Sequence, residues 1–190
     1  MDKVKALVLA GGKSSRMGRD KALLYYRGQR LIDVMVDLLE SLVGDGSRVL
    51  VSGNVAGYLC VPDEHPEQGP LEGLRCALQE IENGEVLLVT PVDMPLLTKT
   101  CLEELLRDAC VMKDFIRFSD SELPCVFAVS AKLREVLCGV SSLQKSQRSF
   151  RHLFLQLEGE SRTCSDPKAL WNTNTPEEWE EVLNESKIGQ

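Results

Sequence analysis

The stretch Leu9-Ala10-Gly11-Gly12-Lys13-Ser14-Ser15-Arg16-Met17-Gly18-Arg19-Asp20-Lys21 sets glycines, hydroxyls and four basic side chains close together. Glycine lets successive backbone N–H groups turn toward one point, and the bases add positive charge, so a phosphate chain is a guest that suits this loop. A tight strand-to-helix turn with solvated charges uses the same residue types. The spacing is not that of a P-loop: with Gly12-Lys13-Ser14 as the tail, G-x-x-x-x-G-K-[ST] needs a glycine where Leu7 stands. Nor is it the dinucleotide fingerprint, which needs a glycine where Lys13 stands. A second group, Leu88-Val89-Thr90-Pro91-Val92-Asp93-Met94-Pro95, places one carboxylate just past an apolar run and between two prolines. A lone Asp there suits Mg²⁺, which keeps several waters and bridges to phosphate oxygens without a full protein cage. It equally suits a turn cap. No Ser-His-Asp or Cys-His set is evident, and the two histidines, His65 and His152, are far from ligand-like spacing.

Short apolar runs alternate with helical patterns, the arrangement of an α/β protein with a mainly parallel sheet. Val4 to Leu9 reads as a buried strand, Arg48 to Val51 as a second, Tyr58 to Val61 as a third and Glu85 to Thr90 as a fourth. Leu31, Val34, Met35, Leu38, Leu39 and Leu42 form the stripe of a helix, and Leu71 to Ile81 a second helix. Thr100 and Glu103 fit a capping box that opens a helix to about Asp108. Further on, Phe115 to Phe118 and Cys125 to Val129 read as strands, and Ser130 caps a helix over Ala131 to Leu137. Gly139 to Gln147 reads as a polar loop and Phe150 to Leu157 as helix. Thr175-Pro176-Glu177-Glu178 is a capping box with Pro at the first helical position, ahead of a terminal helix. In an open α/β sheet the ligand crevice lies at the carboxyl ends of the strands, so Asp93 and the glycine loop are expected to face one cleft.

The chain has 190 residues, 43% hydrophobic and 27% charged, which fits one globular domain over 1–190 and argues against disorder. The net charge of -7 is unevenly spread: the first thirty residues hold eight bases and two acids, the rest 14 bases and 27 acids. An acidic body excludes a general nucleic-acid binder, while a basic head can hold a small anion or be solvated surface. The seven cysteines are odd in number and form no C-x-x-C pair, so reduced thiols in a cytoplasmic protein are expected. The apolar run Ala6 to Ala10 is too short for a signal peptide, and no stretch approaches a membrane span.

The run LAGGKSSRMGRDKALL closely resembles the signature L-A-G-G-x-S-x-R-M-G-x-D-K of the molybdenum cofactor guanylyltransferases. The resemblance implies a Rossmann-like three-layer sandwich with a mainly parallel, mixed sheet, of the nucleotide-diphospho-sugar transferase type. It also implies transfer of GMP from GTP to the phosphate of molybdopterin, with pyrophosphate released. By resemblance Leu9, Ala10, Gly11 and Gly12 wrap the nucleotide, and Arg16 and Lys21 meet its phosphates as catalytic residues. The segment around Asp93 resembles P-x-D-M-P, whose Asp ligates the catalytic Mg²⁺; Val92 stands where many relatives have Cys. Gly69-Pro70-Leu71-Glu72-Gly73 resembles G-P-L-x-G, which goes with guanine specificity, and Asp63 aligns with an aspartate that contacts nucleotide. Trp171-Asn172-Thr173-Asn174-Thr175-Pro176-Glu177 matches N-x-N-T-P-E, which places Asn172 and Asn174 near the pterin. Ser52 replaces an asparagine that relatives use on the nucleotide, with Asn54 nearby, and the acceptor-side D-G-x-x-x-P stretch survives only as Ser119 to Pro124, without its glycine. Arg148, Ser149 and Arg151 resemble a basic patch for the acceptor phosphate, and a solvated helix face accounts for them equally. The partners so implied are GTP and molybdopterin or its molybdenum-bearing form, with transient contacts to cofactor-delivering proteins and molybdoenzymes, and neither nucleic acid nor membrane. Two rivals stay open: a sister transferase using CTP or another phosphorylated acceptor, and a non-catalytic guanine-nucleotide or cofactor carrier.

Overall fold

Side-chain alternation along the first strand decides where the helices sit. In a computed structural model that describes residues 3–10, 21–65 and 68–188, β1 (Val4–Leu9) sends Ala6 and Val8 into one apolar cluster and Leu7 and Leu9 into another. A strand buried on both faces must be covered from both sides. After β1 come the short strands β2 (Tyr25–Tyr26) and β3 (Gln29–Arg30), then α1 (Leu31–Val43), β4 (Val49–Ser52), β5 (Cys60–Val61), α2 (Pro70–Ala77) and β6 (Val86–Pro91). The chain continues with α3 (Lys99–Leu106), β7 (Phe115–Phe118), β8 (Cys125–Ala128), α4 (Ala131–Cys138), α5 (Phe150–Phe154), β9 (Gly159–Arg162) and α6 (Pro176–Ile188). Buried residues of α1, α3 and α6 join the cluster of Ala6 and Val8; those of α2, α4 and α5 join the cluster of Leu7 and Leu9. The result is an α/β three-layer sandwich.

Seven strands form the sheet in the order β5-β4-β1-β6-β8-β7-β9. Only β8 runs against the others, pairing antiparallel with both β6 and β7. The register aligns four parallel strand ends: Val61 opposite Ser52, Ser52 opposite Leu9, and Leu9 opposite Pro91. Whatever follows these four residues emerges along one edge of the sheet.

Most sequence expectations hold within a residue or two. The differences have local causes. The helix expected from Thr100 starts at Lys99, because Thr98 Oγ1 accepts the Cys101 N–H at 3.3 Å and does the same capping two residues earlier. Strand three shortens to Cys60–Val61, and the helix over 71–81 gives way after Ala77 to a 3₁₀ turn, Leu78–Glu80. The polar loop 139–147 contains two 3₁₀ turns, Val140–Ser142 and Lys145–Gln147. The helix over 150–157 ends at Phe154, and an edge strand, β9, follows. β9 is mostly exposed and reads Gly-Glu-Ser-Arg, so it carries no apolar signal. The β2–β3 hairpin turns through Arg27 and Gly28, both at positive φ. Ser130 and Thr175 cap their helices as expected, accepting the N–H groups of Leu133 and Glu178 at 3.2 Å each.

The start of α1 is clamped to the loop before β5. Arg30 donates to Asp33 through Nε at 2.7 Å and Nη2 at 2.6 Å, and the Tyr58 hydroxyl donates to the same carboxylate. The Arg30 side chain, then the Tyr58 hydroxyl, hold the Asp33 pKa down to about 2, and burial with the Asp33 hydrogen bond pushes Tyr58 up to about 12. A carboxyl depressed in the folded state contributes stability that is whole above its unfolded value, 3.8, and lost as pH falls through about 2. Asp33→Asn is therefore expected to flatten the dependence of unfolding free energy on pH between 4 and 2; denaturant titrations followed by circular dichroism read that slope.

Candidate active site

Two residues beyond β6, Asp93 stands at the aligned strand ends, beside the end of β1, where Val92 N–H donates to Leu9 O at 3.2 Å. Its carboxylate is met there by Lys21, the first residue of a short 3₁₀ turn, with Nζ 2.7 Å from Asp93 Oδ2. The same Nζ donates to Asn174 Oδ1 at 2.8 Å. Both members of the ion pair are mostly shielded, with side chains 14% and 16% exposed. Asp93 and Lys21, expected to serve one site, are thus in contact, while Gly11, Gly12 and Arg16 of the glycine loop lie outside the described residues.

Asn174 reaches this point because residues 172–175 are fastened at both ends. Thr173 is 1% exposed, and both its N–H, at 2.9 Å, and its hydroxyl, at 3.1 Å, donate to the Asp93 main-chain carbonyl. On the other side, Glu178 Oε2 accepts the N–H groups of Asn174 at 2.6 Å and Thr175 at 3.0 Å, so the capping box of α6 also orients Asn174. Trp179 of α6 meets Tyr26 of the hairpin edge-on at 6.3 Å. Thr173 had no signal in the sequence: its duty is toward a backbone oxygen eighty residues away. The neighbouring Asn172 Oδ1 is buried with no hydrogen-bond partner among the described residues. Such an acceptor calls for a donor beyond the described residues.

Ser52, which stands where relatives carry an asparagine, faces the exit of β1. It is 2% exposed, and its Oγ accepts the Ala10 N–H at 3.2 Å. What it visibly does is hold the exit of β1, and that N–H is then committed to the protein. Gly73 leaves room for it: a Cβ there would lie 2.9 Å from Ser52 Cβ and 3.4 Å from Leu9 Cδ2. Gly73→Ala is expected to destabilise the fold by about 1–3 kcal/mol through overpacking, lowering Tm by several degrees in a calorimetric scan.

On the α2 side, Gly69 precedes Pro70 and Leu71 at the helix start, and a Cβ on Gly69 would lie 3.5 Å from the Arg148 carbonyl oxygen. Arg148 Nε donates to Leu143 O at 2.9 Å. The backbone of Arg148 therefore borders Gly69, the segment read for the base. Asp63, two residues beyond β5, has Oδ1 buried with no partner among the described residues, and burial, then the charge of Glu72, raises its pKa. Glu64, His65 and Glu72 have potential ligand atoms within 4.8 Å of one another. Arg75 already supplies the positive charge in that group, at 2.8 Å from Glu72 and 2.6 Å from Glu64, so it is an ion-pair cluster. A separate cleft of about 520 Å³ lies between the hairpin, α1, residues 95–98 and residues 166–169; Lys21, Asp93 and Asn174 do not line it.

An aligned edge of parallel strands, carrying a shielded lysine, a carboxylate and an amide, is an arrangement that suits the charge of a nucleotide's phosphates. The comparisons agree. A family model described as "MobA-like NTP transferase domain" matches residues 6–162. The chain is 38% identical to a molybdenum cofactor guanylyltransferase of Xanthomonas euvesicatoria, covering 95% of this chain and 94% of that one. It is 33% identical to a protein of the same description from Pseudomonas fluorescens, covering 90% and 89%. The crystal structure of molybdopterin-guanine dinucleotide biosynthesis protein A from Archaeoglobus fulgidus has the same fold, with a TM-score of 0.77 at 18% identity over 97% of this chain and 99% of that one. The protein is a nucleotidyltransferase with the fold of the nucleotide-diphospho-sugar transferases. The chain belongs to the MobA-like NTP transferase family and serves molybdenum cofactor biosynthesis. No described helix is long and apolar enough to cross a membrane.

Proposed function

We propose that the protein transfers GMP from GTP to the phosphate of molybdopterin, forming molybdopterin guanine dinucleotide and releasing pyrophosphate. The observation that carries this reading is the Lys21 ammonium held between Asp93 and Asn174 at the carboxyl ends of the strands. A cation there stands between a carboxylate and the segment read as the pterin side. One domain over the whole chain carries the reaction on this reading, in the cytoplasm, in keeping with seven free cysteines.

Nucleotidyl transfer asks the protein for in-line positioning and for charge placed where the leaving group develops it. The acceptor needs no base, because a phosphate monoester is largely a dianion at neutral pH. Transferases of this family generally use a divalent metal. The single carboxylate of Asp93 fits Mg²⁺, which takes most of its ligands from waters and phosphates. Bound there, Mg²⁺ would neutralise phosphate charge during transfer. Lys21 would then release Asp93 and Asn174 and bind the triphosphate, with Arg16 beside it. Leu9 and Ala10, with Gly11 and Gly12, would border the nucleotide; since Ala10 N–H is held by Ser52, contact from Ala10 comes through its carbonyl or methyl. Asp63, Gly69 and Pro70 would face the guanine, with the side chain of Leu71, 1% exposed in the core, supporting that segment from behind. The unpartnered Asn172 Oδ1 would accept from the pterin, and Asn174, once free of Lys21, would lie beside it, with Arg148 offered to the acceptor phosphate.

The test is pyrophosphate release from each of the four nucleoside triphosphates, with empty and with molybdenum-loaded molybdopterin. Release with GTP and a pterin acceptor only is the expected result. Preference for CTP would make the protein a sister transferase, and GTP binding without any release would make it a carrier; either overturns the proposal. Cofactor-delivering proteins and molybdoenzymes are the expected transient partners on this reading.

A further inference from the structure

The loop between β5 and α2 is gripped from one side by helix side chains that the reaction described above does not use. Glu72, the third residue of α2, is 0% exposed and is a charged group in that position. Its carboxylate receives Arg75 through Nε at 2.8 Å and Nη2 at 2.9 Å, and the His65 backbone N–H at 3.0 Å. Arg75 Nη2 continues to Glu64 at 2.6 Å, and Gln79 Nε2 donates to the same Glu64 carboxylate at 2.8 Å. Arg75 holds the Glu72 pKa below its usual value, so the pair is ionic at neutral pH. Residues 64 and 65 are thus bonded to one helix, and directly before them stands Asp63 with its unpartnered Oδ1.

Stability alone does not call for this arrangement. A buried ion pair loses its hydration, and an apolar pair of similar size usually does as well or better in its place. What an apolar pair cannot do is accept the His65 N–H or hold Glu64. The G-P-L-x-G pattern also leaves position 72 open, so the resemblance gives this carboxylate no duty.

We infer that Glu72, acting through Arg75 and the His65 N–H, is a positioning residue for nucleotide selection: it fixes residues 64 and 65 and so presents Asp63 to the base of the nucleoside triphosphate. The inference rests on the reading of Asp63 as a nucleotide contact under the proposed function. A carboxylate accepts best from two adjacent donors, and guanine offers a ring N–H beside an amino group. Hypoxanthine keeps the ring N–H and lacks the amino group, so ITP is the probe that isolates this edge.

The experiment compares wild type, Asp63→Ala, Glu72→Gln and the double variant Glu72→Met/Arg75→Leu. Affinity for Mg·GTP and Mg·ITP is measured by isothermal titration, and kcat and KM by pyrophosphate release. For the double variant, affinity for GTP is expected to fall about tenfold and KM to rise in step, with kcat within about twofold of wild type. Its preference for GTP over ITP falls to that of Asp63→Ala, and adding Asp63→Ala to it costs little more, because the two act through one contact. Glu72→Gln keeps an acceptor for the His65 N–H and keeps most of the preference. Where the double variant melts early, Glu64→Ala, which frees residue 64 from Arg75 and Gln79 and leaves the buried Glu72–Arg75 pair whole, is expected to shift affinity and preference in the same direction. Unchanged affinity and preference in a folded variant overturn the inference, as does a fall in kcat with KM unchanged. A wild type that binds GTP and releases no pyrophosphate overturns the transferase reading alone, and the titrations still decide this one. A wild type that binds no nucleoside triphosphate overturns both.

Discussion

Asp93→Asn is expected to lower pyrophosphate release by at least about a thousandfold, some 4 kcal/mol of transition-state stabilisation, while leaving the fold intact. The two halves of that expectation come from different atoms of the same residue. Its main-chain carbonyl holds Thr173 through two hydrogen bonds, and asparagine keeps that carbonyl. Its carboxylate faces Lys21 at 2.7 Å and is the group read as the metal ligand. Asparagine is nearly the same size and carries no charge, so it removes the electrostatic work and spares the joint to residues 172–175. The measurement is initial rate at saturating GTP and pterin acceptor, with a melting curve alongside. Activity within tenfold of wild type would remove Asp93 from the metal role.

Lys21→Met is expected to move two quantities in opposite directions. Turnover falls by about a hundredfold or more, since a cation aimed at the triphosphate is lost where water is partly excluded. Divalent affinity in the absence of nucleotide rises by about tenfold, the order of effect that one neighbouring unit charge has on a carboxylate. In the wild type the ammonium is already paired with the Asp93 carboxylate, and methionine keeps the length and the apolar stem without the charge. Mn²⁺ titration followed by water-proton relaxation reads the second effect without any catalysis. Equal Mn²⁺ affinity in the two proteins would show that the lysine does not guard the carboxylate.

Local features were legible in the sequence. β1 matches its apolar run residue for residue, β6 lies one residue along from its expected position, and Ser130 and Thr175 cap as their spacing predicts, because each depends on neighbours a few residues away. Long-range features were not. Nothing in the spacing joins Lys21 to Asn174, or Thr173 to the carbonyl of Asp93, since those partners meet only when the strand ends align. Glu72 was hidden for a further reason: a glutamate early in a helix is ordinarily a solvated charge near the helix N-terminus, and only burial shows that it grips a loop. The edge strand β9 was missed because a polar strand on a sheet edge has no alternation to read.

The fastening of residues 172–175 to Asp93 has a consequence for the order of synthesis. Every strand of the sheet precedes Thr173, and the family match itself ends at 162. A chain is synthesised from its N-terminal side, and a domain folds as a unit. Lys21 and Asp93 are thus both made well before residue 174, and the second contact at Lys21 waits for Asn174 to be added. The amide read as facing the acceptor is thus the last of the three groups to be made, so the cleft is complete only once residues 172–175 can dock on Asp93.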